Sequence, residues 1–275
     1  MAMACGSLFA ARLPETSGST DPVVFSFCTV GDSRADADDP ALPAQDKIWL
    51  QNTKVLSRLI REINQAPPMG GPDAIRSDQR QLSYSFDCQT MHFAVINTDP
   101  CGNDSHAPVH WLNRDLAQAQ ERGSRHFFVF GHKMAFTYAY KPEMKAKGLD
   151  AFPEEAQAFW KVIQEYHATY FCGHEHIYHA MQPAGSGQQQ SWQIIVGSGG
   201  SPFEAQPGES QNPNDRMYVW AAVQVHRSGR VHMEARGFDE HFGPTHLLES
   251  IELEATARLH SSSRLSFLLI LPTGK

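Results

Sequence analysis

A chain of 275 residues, 41% hydrophobic and 19% charged, is long enough to bury one large core or two small ones. Its net charge of -7 leaves no basic surplus to hold a polyanion by counterion release, which argues against nucleic-acid binding. Five scattered cysteines without a Cys-x-x-Cys pair argue against a zinc knuckle and demand no oxidising compartment.

Residues 1–21 read as a flexible leader. Met1 to Pro14 lacks a basic n-region and is broken by Gly6 and Ser7, so it does not read as a signal peptide. A trimmed or degenerate signal would instead imply a secreted or periplasmic protein. Leu265 to Leu271 is far too short to span a bilayer, so no stable membrane insertion is expected.

Val23 to Val30 is a nearly continuous β-run, the pattern of a strand covered on both faces, and it ends at Gly31-Asp32-Ser33-Arg34. A carboxylate just beyond a strand end lies where ligands bind in helix-flanked sheets, although Gly-Asp-Ser alone is an ordinary turn. Asp46 to Ala66 carries an apolar stripe at helical spacing and stops at Pro67-Pro68-Met69-Gly70-Gly71-Pro72. Leu82–Phe86 and His92–Asn97 form a hairpin around Asp87-Cys88-Gln89-Thr90.

Val109 to Glu121 is a helix with Trp111, Leu112 and Leu116 inward. Arg125 to Phe130 is a buried strand ending in Gly131-His132. Phe136 to Pro153 is a long loop whose tyrosines suit a pocket mouth. Glu154 to His167 is a helix, residues 181–190 a linker, and Trp192 to Val196 a strand running into Gly197-Ser198-Gly199-Gly200. That glycine run lacks the lysine of a nucleotide loop, and no Gly-x-Ser-x-Gly elbow supports a Ser-His-Asp hydrolase. Met217–His226 and Gly229–Arg236 form a second hairpin. Residues 241–275 are taken as a C-terminal tail, within which Glu249 to Lys275 reads as a strand plus tail.

The stretch that organises the rest is Thr169 to Cys172 followed by Gly173-His174-Glu175-His176. In an extended or turning backbone, residues i and i+2 point the same way, so both histidines could aim at one point above a strand end. Imidazole is the commonest side-chain metal ligand, and a metal centre would account for an excess of 14 histidines.

Strand–Gly-Asp, strand–Gly-His and strand–Gly-His-x-His occur in that order, and the ordered set resembles the calcineurin-like metallophosphoesterases, the superfamily that includes purple acid phosphatases. The likeness runs from about Val23 to Asp239. It implies an α/β fold, a four-layer α-β-β-α sandwich, over a domain at 22–240. It further implies two metal ions, iron, manganese or zinc, with Asp32 and His176 serving the first and His132 and His174 the second. The implied activity is hydrolysis of a small phosphoester by metal-activated hydroxide.

Two departures stand beside the likeness. The family's Asp-x-His is Asp32-Ser33-Arg34 here. Arg34 cannot ligate a cation; its planar fork suits a phosphate contact, with a plain surface arginine as the equal alternative. The segments that supply a bridging aspartate and a Gly-Asn-His are not found, and no apolar strand lies between 66 and 81. Part of the central sheet is therefore expected to be missing. Gly102-Asn103-Asp104-Ser105-His106 has similar letters in the wrong order. Asp99 and Asp104 are carboxylates that nothing in the sequence positions. Two readings follow: a metal-dependent phosphoric ester hydrolase, impaired in this form, or a catalytically degenerate metallophosphoesterase-like binding module.

Overall fold

The computed structural model describes residues 20–29, 31, 82–99, 107–183 and 191–254, apart from the Cys28 and Glu254 side chains. The expected 46–66 helix, the expected gap at 66–81 and the 101–106 segment lie outside them, as do Asp32 and Arg34. In chain order the elements are β1 (Val23–Thr29), β2 (Tyr84–Cys88), β3 (Met91–Val95), α1 (Val109–Glu121), β4 (His126–Phe130), α2 (Pro153–Glu165), β5 (Thr169–Cys172), β6 (Tyr178–Met181), β7 (Gln193–Val196), β8 (Tyr218–His226), β9 (Val231–Phe238) and β10 (His246–Glu254). Two sheets result: a four-stranded one ordered β1-β8-β9-β10, and a six-stranded one ordered β2-β3-β4-β5-β7-β6. No described helix is long and apolar enough to cross a membrane.

In the six-stranded sheet β3, β4, β5 and β7 run parallel, and β2 and β6 flank them antiparallel. Parallel neighbours need long crossovers, and α1 and α2 provide two of them. Parallel order also brings the C-terminal ends of these strands to one edge. The strands read as unbroken apolar runs because both faces are covered. Phe93, Phe128, Phe130 and Phe171 pack with Phe27, Val223 and Met233 of the four-stranded sheet. Ala94, Val129, Tyr170 and Cys172 alternate with them and pack with Leu112, Leu116, Phe159 and Ile163 of the two helices.

The four-stranded sheet is antiparallel throughout, and antiparallel sheets commonly bury one face only. This corrects the expectation of a β1 covered on both sides: Phe27 is fully buried, whereas Val24 is exposed. The segment after 241 contributes β10, which pairs with β9 over most of its length. β6, which pairs Tyr178 to Met181 against β7, was not foreseen and reaches one residue into the expected 181–190 linker.

A buried polar group joins the β2–β3 hairpin to α1. His92 lies between Asp87 and Asp115, with ring nitrogens 2.6 and 2.8 Å from their carboxylate oxygens. Ser85 donates to Asp115 and Arg122 to Asp87. Burial opposes a charge on His92, but its bonds to Asp115 and Asp87 outweigh that and raise its pKa above the ordinary value.

Candidate metal centre

β4 ends at Phe130, and Gly131 follows with its amide on the Phe171 carbonyl. A Cβ at Gly131 would collide with the Tyr170 hydroxyl and with Thr98 Cγ2, so only glycine lets the chain turn there. The next two amides, of His132 and Lys133, donate to Thr98 Oγ1 at 3.2 and 2.8 Å. Tyr170 donates its hydroxyl to the Lys133 carbonyl. His132 thus sits on a pinned turn at the C-terminal edge of the sheet. Asp99 is engaged by Lys133 at 2.8 Å.

β5 ends one strand away. The Gly173 amide donates to the His132 carbonyl at 2.9 Å, tying the two turns together. His174 then takes φ 74°, a left-handed backbone uncommon outside glycine, asparagine, aspartate and histidine. The chain turns here rather than continuing extended. His174 Nδ1 lies 3.1 Å from His132 Nε2, with the rings edge to face.

That separation fits one cation. Two imidazole nitrogens at adjacent positions of a tetrahedral or octahedral ion, each about 2.0–2.1 Å from it, lie roughly 2.9–3.4 Å apart. Among the described residues no group of three or more His, Cys, Asp or Glu is arranged to hold a metal.

His176 takes a different partner. Its Nδ1 lies 2.7 Å from the Pro202 carbonyl, which can only accept, so Nδ1 carries the proton. A second-partner bond of this kind fixes the tautomer of metal-binding histidines and makes Nε2 the nitrogen that a neutral ring would offer. Of the four residues singled out as ligands, the structure brings His132 and His174 together. It gives His176 to Pro202, and Asp32 lies outside the described residues.

The described residue before Asp32 is Gly31. Its amide donates to Val196 at 2.7 Å, and its carbonyl accepts from the Gly199 amide at 3.0 Å. The glycine run at 197–200 therefore receives the end of β1 at the same edge.

Sequence reasoning passed over the residue between the two histidines. Glu175 is fully buried; Oε2 accepts from the Tyr138 amide at 3.1 Å, and burial pushes the carboxyl up to about 7. Tyr138 also stacks on His179 at 3.8 Å between ring centres, and burial pushes that imidazole down to about 4. The only sequence signal was Tyr138 of the long loop, whose amide meets the turn that carries His174 and His176.

No family model matches the chain, and no curated protein matches it. Among solved structures the chain is similar to the purple acid phosphatase PPD1 from yellow lupin (Lupinus luteus) seeds, at 14% identity and a TM-score of 0.47. The match covers 62% of this chain and 32% of that one, so the chain spans about a third of that structure's length.

Proposed function

We propose that the chain is a metal-dependent phosphoric ester hydrolase of the metallophosphoesterase kind, with the four-layer α-β-β-α arrangement expected of it. The observation that carries this reading is the 3.1 Å approach of His174 Nδ1 to His132 Nε2 at the C-terminal edge of a parallel sheet. His132 and His174 would hold one cation through those atoms. His176 would offer Nε2, and Asp32 the anionic oxygen that a site of neutral imidazoles needs. Arg34 would bind a substrate phosphate oxygen through its guanidinium fork. When bound, the metal supplies Lewis-acid charge and makes water acidic enough to ionise near neutral pH. The pinned turns at Gly131 and Gly173 keep the ligand nitrogens in place before metal arrives, which limits reorganisation.

The test is hydrolysis of p-nitrophenyl phosphate and its bis ester by the full chain loaded with manganese, iron or zinc. Turnover that falls at least about a hundredfold in His132→Ala and in His174→Ala supports the assignment. Metal held by both histidines without turnover on any of these ions would instead establish the degenerate binding module.

A further inference from the structure

His176 is held by a stretch with no regular structure of its own. Between Val196 and Pro213 the chain forms no helix or strand, yet it supplies two bonds to this histidine. The Pro202 carbonyl faces Nδ1 at 2.7 Å, and the Glu204 amide donates to the His176 carbonyl at 3.3 Å. A carbonyl in irregular backbone can orient an imidazole only if that backbone is itself fixed.

Glu204 is where it is fixed. Tyr140 donates its hydroxyl to the Glu204 carbonyl at 3.1 Å, and the Lys147 ammonium pairs with Glu204 Oε1. One residue thus makes three separate contacts: amide to His176, carbonyl to Tyr140, carboxylate to Lys147. Tyr140 and Lys147 belong to the loop that leaves the His132 turn, and this loop is anchored before it reaches Glu204. The Lys147 amide donates to Thr137 Oγ1 at 2.8 Å, and the Thr137 hydroxyl donates to Asp150 at 2.9 Å. The Tyr138 amide of the same loop bonds Glu175, the residue before His176.

We infer that Glu204, gripped by Tyr140 and Lys147, is a positioning residue for His176: it sets where the Pro202 carbonyl stands and so which ring nitrogen is presented. Glu204 touches no metal in this scheme. The inference rests on the proposed metal site only for what the ring would hold. The Lys147 and Glu204 side chains are 38% and 23% exposed, so salt screens that pair and alone it contributes little. The Tyr140 hydrogen bond is neutral and acts on the backbone directly. Both grips must therefore be released together for a full effect.

The experiment uses the full chain and two readouts. In the metal-free protein, nitrogen NMR of the histidine rings counts tautomers: neutral His176 should carry its proton on Nδ1 in the parent, and the double variant Tyr140→Phe/Lys147→Met should shift it toward Nε2. With manganese, equilibrium dialysis should show about tenfold weaker binding in that double variant, the lower end for loss of an outer-shell partner. Placed in a His176→Ala background, the same two substitutions should change affinity by less than about twofold, because their effect passes through that ring. Lys147→Arg should keep the parent tautomer, and Lys147→Met alone, at an exposed position, should shift it in the same direction by less. An unchanged tautomer in the double variant, or an equal loss of affinity with and without His176, overturns the positioning role. If the parent binds no manganese while the tautomer shifts as expected, the positioning role stands and the metal-site reading falls.

Discussion

Gly31 and Gly173 lie against each other: a Cβ on Gly31 would come 3.6 Å from the Gly173 Cα and 2.8 Å from the Val196 carbonyl oxygen. Each glycine immediately precedes a candidate ligand, Asp32 in one case and His174 in the other. The two come from different sheets and are 142 positions apart in sequence, so their proximity is a property of the fold. A side chain at 31 has a backbone carbonyl in its way, which cannot rotate aside. Gly31→Ala should therefore destabilise the protein by about 1–3 kcal/mol, the range for overpacking. It should also weaken manganese binding as much as Asp32→Ala does. Urea midpoints and equilibrium dialysis measure the two effects, and an unchanged affinity in Gly31→Ala would separate this glycine from the site.

The His132–His174 pair makes a second prediction. If the two nitrogens share one ion, removing either should cost about tenfold or more in affinity, since even outer-shell partners of metal ligands cost that much. Removing both should cost little beyond the first, because one remaining imidazole cannot hold the ion alone. Pro202 acts through its backbone carbonyl, so Pro202→Ala should leave affinity nearly unchanged. Metal content of the dialysed variants gives the answer directly.

The core supplies a third. Phe27 is fully buried and its ring meets Phe93, Phe128, Phe130 and Phe171 at 5.0–6.0 Å. With Phe25, whose ring lies 5.9 Å from that of Phe93, it is how β1 grips the six-stranded sheet. Phe27→Ala should cost about 3–5 kcal/mol, read as a lowered urea midpoint. Val24→Ala, on the exposed side of the same strand, should cost a small fraction of that.

Much of this was legible in the letters. β4 and β5 announce themselves as apolar runs stopped by glycine, because strands covered on both faces have no polar positions to alternate. The helices at Val109 and Pro153 follow from the spacing of Trp111, Leu112, Leu116, Phe159 and Ile163. What was not legible depends on distant partners or on local backbone choice. β6 is four residues, Tyr178 to Met181, beside a histidine motif that draws attention away from it. The left-handed turn at His174 has no signature in sequence, and it decides that His174 meets His132 while His176 meets Pro202. Glu175 read as a spacer although it is buried, and only coordinates could pair His92 with Asp115.

That last pair gives a pH prediction. Both ring nitrogens of His92 face carboxylate oxygens, which accept when ionised, so both must donate and His92 is an imidazolium. The charged groups around it are Asp87 at the end of β2, Asp115 on α1, and Arg122, which bonds the far oxygen of Asp87; the Phe127 ring of β4 is uncharged. The folded pKa of His92 is raised above 6.5, so its contribution is complete below that value and is lost as pH rises through the folded pKa. Asp87 moves the other way. Burial would raise it, but the bonds from Arg122 and His92 hold it below 3.8, so its share is present above that value and lost as pH falls through the folded pKa. The lock is therefore strongest between these limits. His92→Gln should cost about 3 kcal/mol at mildly acid pH, mostly from Asp115 left buried without its charge partner. Asp87, a third exposed, adds less. Above pH 6.5 the gap between parent and variant should narrow, as shown by urea midpoints taken across the range. A gap that stays constant, or widens as pH rises, would mean that His92 is neutral in the folded protein and that a carboxyl carries the proton instead.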